Sequence, residues 1–118
     1  MNALAKTRAW VGVQRSGRKI DFAAINRAAL STLPALLRRW LPNGKRRGAE
    51  WVALNPLRND AKLGSFKINM RTGHWADFAT GDKGGDVTSL AAYLFGLKQR
   101  EAALKLAGML GVDGEVRA

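Results

Sequence analysis

The stretch SFKINMRTGHWADFATGDKGGDV, residues 65–87, decides the fold expected for this chain. Apolar and polar side chains alternate at its start, which predicts a strand over Ser65–Met70. Residues 71–73 have the composition of a hairpin turn, so a return strand is expected over His74–Phe78. The glycine-rich segment Thr80–Gly85 is expected to form a plain entry to a helix.

Two helices and a third strand are expected before this hairpin. Apolar spacing predicts a helix over 22–30 that Asp21 caps, and a second helix over 33–41. Pro34 suits the first turn of the second helix, where its missing N–H costs nothing. Glu50–Leu54 has the composition of a strand.

Two more helices are expected after the glycine-rich segment. One covers 87–95, begins at the capping residue Asp86 and ends at Gly96, and the last spans Gln99–Leu110. The elements together predict an α+β fold. In it, a small three-stranded antiparallel sheet is flanked by two N-terminal and two C-terminal helices.

The length of 118 residues suits one domain, which we place at 20–112 between a flexible basic arm at 1–19 and a tail at 113–118. No apolar run is long enough for a membrane span, and the start of the chain lacks a secretory pattern. We therefore expect a cytoplasmic protein with no membrane partner.

The positive charge is concentrated in the first part of the chain. Of the formal net charge of +11, residues 1–47 hold +10, because they carry eleven Lys and Arg residues against one acid, Asp21. Part of this charge lies in Asn43–Gly48, which is expected to be a glycine-bounded turn. Such asymmetry indicates a polyanionic partner, and solubility alone is the competing interpretation.

The residue types exclude several kinds of chemistry. The chain has no cysteine and one histidine, so disulfides and thiolate metal sites are impossible. His74, beside the hairpin turn, is expected to be solvated. The carboxylates form no clustered pair suited to Mg²⁺. We therefore expect a protein that is not an enzyme and has no cofactor.

From Glu50 onward the order of elements and motifs resembles the N-terminal zinc-ribbon domain of bacterial, phage and plasmid DNA primases. Those ribbons run C-P-x-H, then an S-F strand, a hairpin, C-x-x-C-G and a G-G-D-V helix start. The matching positions are Pro56, Ser65-Phe66, Trp75 and Gly84–Val87. The resemblance extends over about residues 20–112 and implies a zinc-ribbon-like fold.

The four metal-ligand positions of that family are replaced in this chain. Asn55, Arg58, Asp77 and Thr80 stand where the family has Cys, His, Cys and Cys. Arginine has no lone pair to give, and Asn and Thr are poor zinc ligands, so no bound zinc is expected. We expect a polar cluster instead, in which Asp77 accepts from Arg58 while Asn55 and Thr80 fill the remaining donors and acceptors.

The resemblance implies a non-catalytic module that binds nucleic acid, expected to be single-stranded DNA, in a phage or plasmid replication system. The side chains expected to contact it are Arg15, Arg18, Lys19, Arg38, Arg39, Lys45, Arg46, Arg47, Lys67, Arg71 and Trp75. For Trp75, as for Trp51, a place in the core is the competing interpretation. For Arg38 and Arg39, the competing interpretation is a solvated helix edge.

Two alternatives remain open from the sequence. The chain could be a protein-interaction module, an adaptor or an inhibitor of a host complex used in counter-defence, with a replication or host protein as its partner. It could also be the front part of a longer primase-helicase.

Overall fold

The computed structural model describes residues 19–58 and 62–116. Most of the arm expected at 1–19, including Arg15 and Arg18, lies outside the described residues. None of the helices in the described part has the length and apolarity needed to cross a membrane.

Four helices are present in the described ranges, close to the expected positions: α1 (Phe22–Ser31), α2 (Leu33–Trp40), α3 (Val87–Phe95) and α4 (Gln99–Leu110). The carboxylate of Asp21 caps α1 by accepting from the Ala24 N–H at 3.0 Å. Asp86 caps α3 in the same way, accepting from the Ser89 N–H at 2.8 Å. These short carboxylate side chains start the helices by satisfying amide groups that have no intrahelical partner.

The sheet has five strands: β1 (Lys45–Arg47), β2 (Glu50–Ala53), β3 (Phe66–Asn69), β4 (Trp75–Asp77) and β5 (Lys83–Gly84). They lie in sequence order, and each neighbouring pair is antiparallel. The α+β class is as expected, but the expectation of a three-stranded sheet is wrong.

The two unexpected strands are the edges of the sheet. All three residues of β1 are basic and exposed. Because Lys45–Arg47 has no apolar alternation, its sequence predicts a turn and not a strand. Strand β5 is two residues long and contains Gly84. Edge strands bond to one neighbour and often carry charge, so the backbone ladder forms without the apolar signal on which sequence patterns depend.

A glycine lies flat against a tryptophan at each edge of the sheet. A Cβ added to Gly44, just before β1, would overlap the indole of Trp51, and one added to Gly84 would overlap the indole of Trp75. Trp75 and Gly84 are also directly opposite each other in the register of β4 and β5. The missing side chains therefore let both indoles pack against the edge backbone.

The hydrophobic core lies between the helices and one face of the sheet. Its fully buried members include Ile25, Leu37 and Leu90 from the helices and Phe66 and Ile68 from β3. Along β3, the residues that alternate with this buried pair are only half-buried. The opposite face of the sheet is therefore the open one.

The two ends of the described chain pair with each other. The Asp21 N–H donates to the Gly114 carbonyl at 3.0 Å, and the Val116 N–H donates to the Lys19 carbonyl at 2.8 Å. Gly114 is buried, with Leu104 and Ala107 of α4 nearest to it. Residues 113–116, expected to be part of a tail, thus pack against the start of the domain.

Gly44→Ala should destabilise the fold by about 1–3 kcal/mol, because the added methyl group forces the Trp51 indole or the β1 backbone to move. The matched control is Gly85→Ala, where an added Cβ meets nothing within 4 Å. Urea unfolding at neutral pH measures both. Equal midpoints for the two variants would contradict the close packing at Gly44.

Candidate functional site

One row of side chains crosses all five strands on the open face. The register gives the row in the order Lys45, Val52, Lys67, Ala76, Lys83. Lysines on alternate strands stand about 9.5 Å apart, since neighbouring strands are about 4.8 Å apart. The row therefore places three cations in a line across the sheet, with the buried Val52 and the half-buried Ala76 between them.

A second row lies beside the first. Arg47 is opposite Glu50, which is opposite Asn69 on β3. The Asn69 N–H donates to the carbonyl of His74 at 2.7 Å, which brings the exposed His74 to the end of the row. Glu50 is the acid in this row, and its position opposite Arg47 offsets its charge.

Phe78 is an exposed aromatic residue beside the lysine row. It follows β4 two residues after Ala76 and is 71 % exposed. Its N–H donates to the Ser65 carbonyl at 2.8 Å, which fixes its backbone next to β3. The ammonium of Lys67 lies 5.9 Å from the centroid of its ring. An aromatic face and a cation are thus side by side on the open face.

Trp75 cannot take the stacking role expected for it. It is 5 % exposed, and its indole N–H donates to the Ser89 hydroxyl at 2.9 Å. Its ring packs on Tyr93 at 4.7 Å and edge-on against Phe66 at 6.3 Å. The strand alternation that buries Trp75 exposes Phe78, so the alternation predicts Phe78 as the exposed aromatic residue of this strand.

The other basic residues expected at the interface are dispersed. Lys19, Arg38 and Arg39 are exposed, and Arg71 is exposed in the β3–β4 turn. Arg46 is opposite Trp51 and so alternates away from the lysine row, with its guanidinium 3.8 Å from the Met70 sulfur. Of the expected set, the register brings Lys45, Arg47 and Lys67 together on one face.

A second constellation surrounds Asp77, whose side chain is fully buried at the end of β4. Its Oδ2 accepts from Arg58 Nε at 2.9 Å and from Asn55 Nδ2 at 2.7 Å. Its Oδ1 accepts from the Ala79 N–H at 2.9 Å. Arg58 also donates to the Ser65 hydroxyl at 2.7 Å. The turn after β2 is thereby tied to the end of β4.

The network continues beyond these residues. Asn55 donates to the Tyr93 hydroxyl at 2.9 Å, and Tyr93 donates to Asp82 Oδ2, also at 2.9 Å. Thr80 is exposed and donates to Asp82 at 3.0 Å, not to the Asp77 carboxylate. The expectation that Thr80 completes the Asp77 cluster is therefore corrected. Tyr93 and Asp82, which the sequence did not indicate, connect it to the network.

The environment of Asp77 strongly favours its charged form. Burial alone raises the pKa of this carboxyl, but hydrogen bonds from Arg58, Asn55 and the Ala79 N–H, with the charge of Arg58, lower it to about 2. Burial raises the pKa of Tyr93, and the nearby carboxylates of Asp82 and Asp77 add to the increase.

This donor set does not fit the zinc ion that the primase resemblance would otherwise imply. Arg58 supplies a permanent cation, Asn55 turns its amide N–H groups toward Asp77 and Tyr93, and Asp77 gives one carboxylate. In residues 19–58 and 62–116, no three His, Cys, Asp or Glu side chains come together in a way that could hold a metal ion. The hydrogen bonds of this network link the turn after β2 to the end of β4.

Comparisons with known proteins give no assignment: neither a protein-family model nor a curated protein matches this chain. The interpretation of the two constellations therefore depends on their geometry and chemistry.

Stability should fall in acid because of Asp77. Its folded pKa of about 2 is below its ordinary value of 3.8, so its contribution is present above pH 3.8 and is lost as the pH falls toward 2. The expected loss is about 2 kcal/mol. Asp77→Asn should flatten this part of the pH profile and destabilise the protein at pH 7, as urea unfolding at a series of pH values would measure.

The control is Glu50→Gln, which removes a half-buried carboxylate of β2 outside the Asp77 cluster and should keep the acid-dependent loss of stability seen in the parent. Parallel acid profiles for Asp77→Asn and the parent protein would show that the Asp77 cluster does not hold this carboxyl in its charged form.

Proposed function

We propose that this chain is a non-catalytic nucleic-acid-binding module that holds a single strand on the open face of its sheet. The observation that carries the proposal is the in-register row of Lys45, Lys67 and Lys83. Phosphate contacts from lysine supply most of the affinity in sequence-independent binding, and a line of cations follows a phosphate backbone.

The aromatic residue supports a single strand as the ligand. In a duplex the faces of the bases are stacked on each other, whereas a single strand can turn a base onto an exposed ring. Phe78 offers such a ring beside Lys67, and an open concavity of about 580 Å³ lies over this part of the sheet, lined by Lys67, His74, Phe78 and Lys83 among others. A base on Phe78 and phosphates on the lysine row would occupy one continuous surface.

The resemblance to primase zinc ribbons supports a place in replication. The family's ribbon contacts single-stranded template while a separate domain performs the chemistry. We propose the same division here, with this chain as a template-binding component of a phage or plasmid system in the cytoplasm. In this proposal the Arg58–Asp77 pair holds the turns that zinc holds in the family.

The lysine row predicts a specific change in salt dependence. For a fluorescein-labelled oligothymidylate, the logarithm of the association constant should fall linearly with the logarithm of the salt concentration. Alanine at Lys45, Lys67 and Lys83 together should reduce the slope by about 2, because each lost phosphate contact reduces it by about 0.7. The measurement is fluorescence anisotropy at several salt concentrations.

The charge-matched control is alanine at Arg27, Lys62 and Arg100 together, three exposed cations outside the lysine row, and it should leave most of the slope intact. The proposal fails if the parent protein does not bind the oligonucleotide at low salt, or if an unlabelled duplex competes as well as the single strand does.

Phe78→Ala should weaken the same binding by about 1–3 kcal/mol with no change in the salt slope, because stacking is not a phosphate contact. Phe22→Ala removes another exposed phenylalanine, on α1, and should leave binding unchanged. If the two variants behave alike, the ring of Phe78 is not a base platform.

A further inference from the structure

An apolar groove lies among the helices, away from the residues of the open face. It has a volume of about 400 Å³ and is formed mainly by Trp40, Ala91, Phe95, Leu97, Ala102 and Met109. No residue that lines it also lines the concavity over the sheet. The groove is therefore a separate surface of the molecule.

Large apolar side chains remain in contact with solvent in this groove. Phe95 is 54 % exposed and Met109 is 43 % exposed, on the neighbouring helices α3 and α4. The ring of Trp40, at the end of α2, meets Phe95 edge-on with centroids 5.6 Å apart. Contiguous apolar exposure of this kind marks interaction sites more often than scattered single residues do.

The walls of the groove are fixed before any partner arrives. Gly96 ends α3 in the left-handed conformation, and the Leu97 N–H donates to the Ala92 carbonyl at 3.0 Å. Leu97 is thereby held between α3 and α4 as one wall. A preformed groove requires little ordering on binding, which favours affinity.

The charges around the groove select an acidic occupant. Lys105 lines the groove, and the exposed Arg39 and Lys98 do not line it but are the sequence neighbours of its lining residues Trp40 and Leu97; these three cations are called the basic rim. The nearby acid, Glu101, accepts from the Lys98 N–H at 3.0 Å. A second copy of this chain would bring the same cations against them, within a net charge of +11, so self-association is opposed.

We propose that this groove binds an acidic peptide segment of a partner protein, with one or two bulky apolar side chains inserted between Phe95 and Met109 and carboxylates facing the basic rim. The apolar lining supplies affinity and the rim supplies selectivity and speed of association. This surface acts independently of the sheet, so one molecule can hold a nucleic-acid strand and a protein segment together.

The test uses three sets of labelled synthetic peptides, measured by fluorescence anisotropy against the full chain. The first has Leu or Phe residues flanked by Asp and Glu; the second has Lys in place of the acids; the third has Ser in place of the apolar residues. Only members of the first set should bind, and their affinity should fall as salt rises.

Phe95→Ser should weaken binding of the acidic apolar peptide about tenfold or more, because an exposed ring that becomes buried contributes this much. Met109→Ser is a second variant on the other wall, with the same expected direction. Leu57→Ser removes a comparably exposed side chain outside the groove and should bind like the parent. Urea unfolding checks that each variant is folded.

Several results would overturn the proposal. These are no binding by any acidic apolar peptide at low salt, equal binding by the lysine set, or equal binding by folded Phe95→Ser and Leu57→Ser. Loss of oligothymidylate binding in Phe95→Ser would assign the groove to nucleic acid. Sedimentation that shows a dimer of the parent and a monomer of Phe95→Ser would assign it to a second copy.

Discussion

The arrangement of the turns after β2 and β4 depends on the hydrogen bonds and the ion pair that the buried carboxylate of Asp77 forms with Asn55 and Arg58. A charge with no exposed surface is tolerated only when hydrogen bonds and an opposite charge compensate for the loss of water. Arg58 and Asn55 provide this compensation from the turn after β2. Because that turn and the end of β4 are far apart in sequence, the contact ties the turn after β2 to a strand end that backbone hydrogen bonds already hold in the sheet.

Strand β4, which carries Asp77, also contributes side chains both to the core and to the open face of the sheet. Alternate residues of β4 point to opposite faces, so Trp75 and Asp77 enter the core while Ala76 and then Phe78 face the open side. The packing of Trp75 against Tyr93 therefore sets the position of the open face, and the Asp77 network sets the turn that follows it. Stability and the proposed binding surface are coupled through this one strand.

The sequence predicted the elements with a strong apolar pattern and missed those formed by the backbone alone. The four helices, with their caps at Asp21 and Asp86, and strands β3 and β4 show periodic burial that can be read from residue types, and β2 is a short apolar run. Strands β1 and β5 cannot be found in this way, because Lys45–Arg47 is uniformly basic and β5 ends in a glycine. The pairing of Arg58 with Asp77 can be predicted from their opposite charges. The hydrogen bond between Asn55 and the Tyr93 hydroxyl cannot be predicted in this way, because it depends on how α3 packs on the sheet.

The contact between the first and last described residues has an architectural consequence. Lys19 and Val116 are joined by a main-chain hydrogen bond of 2.8 Å, so the polypeptide enters and leaves the domain at the same point on its surface. A domain with adjoining ends can be placed within a loop of a host protein with little disturbance to either fold, and its ends can be linked and reopened elsewhere. The adjacency of its two ends would therefore let the domain be inserted as one unit between two segments of another protein.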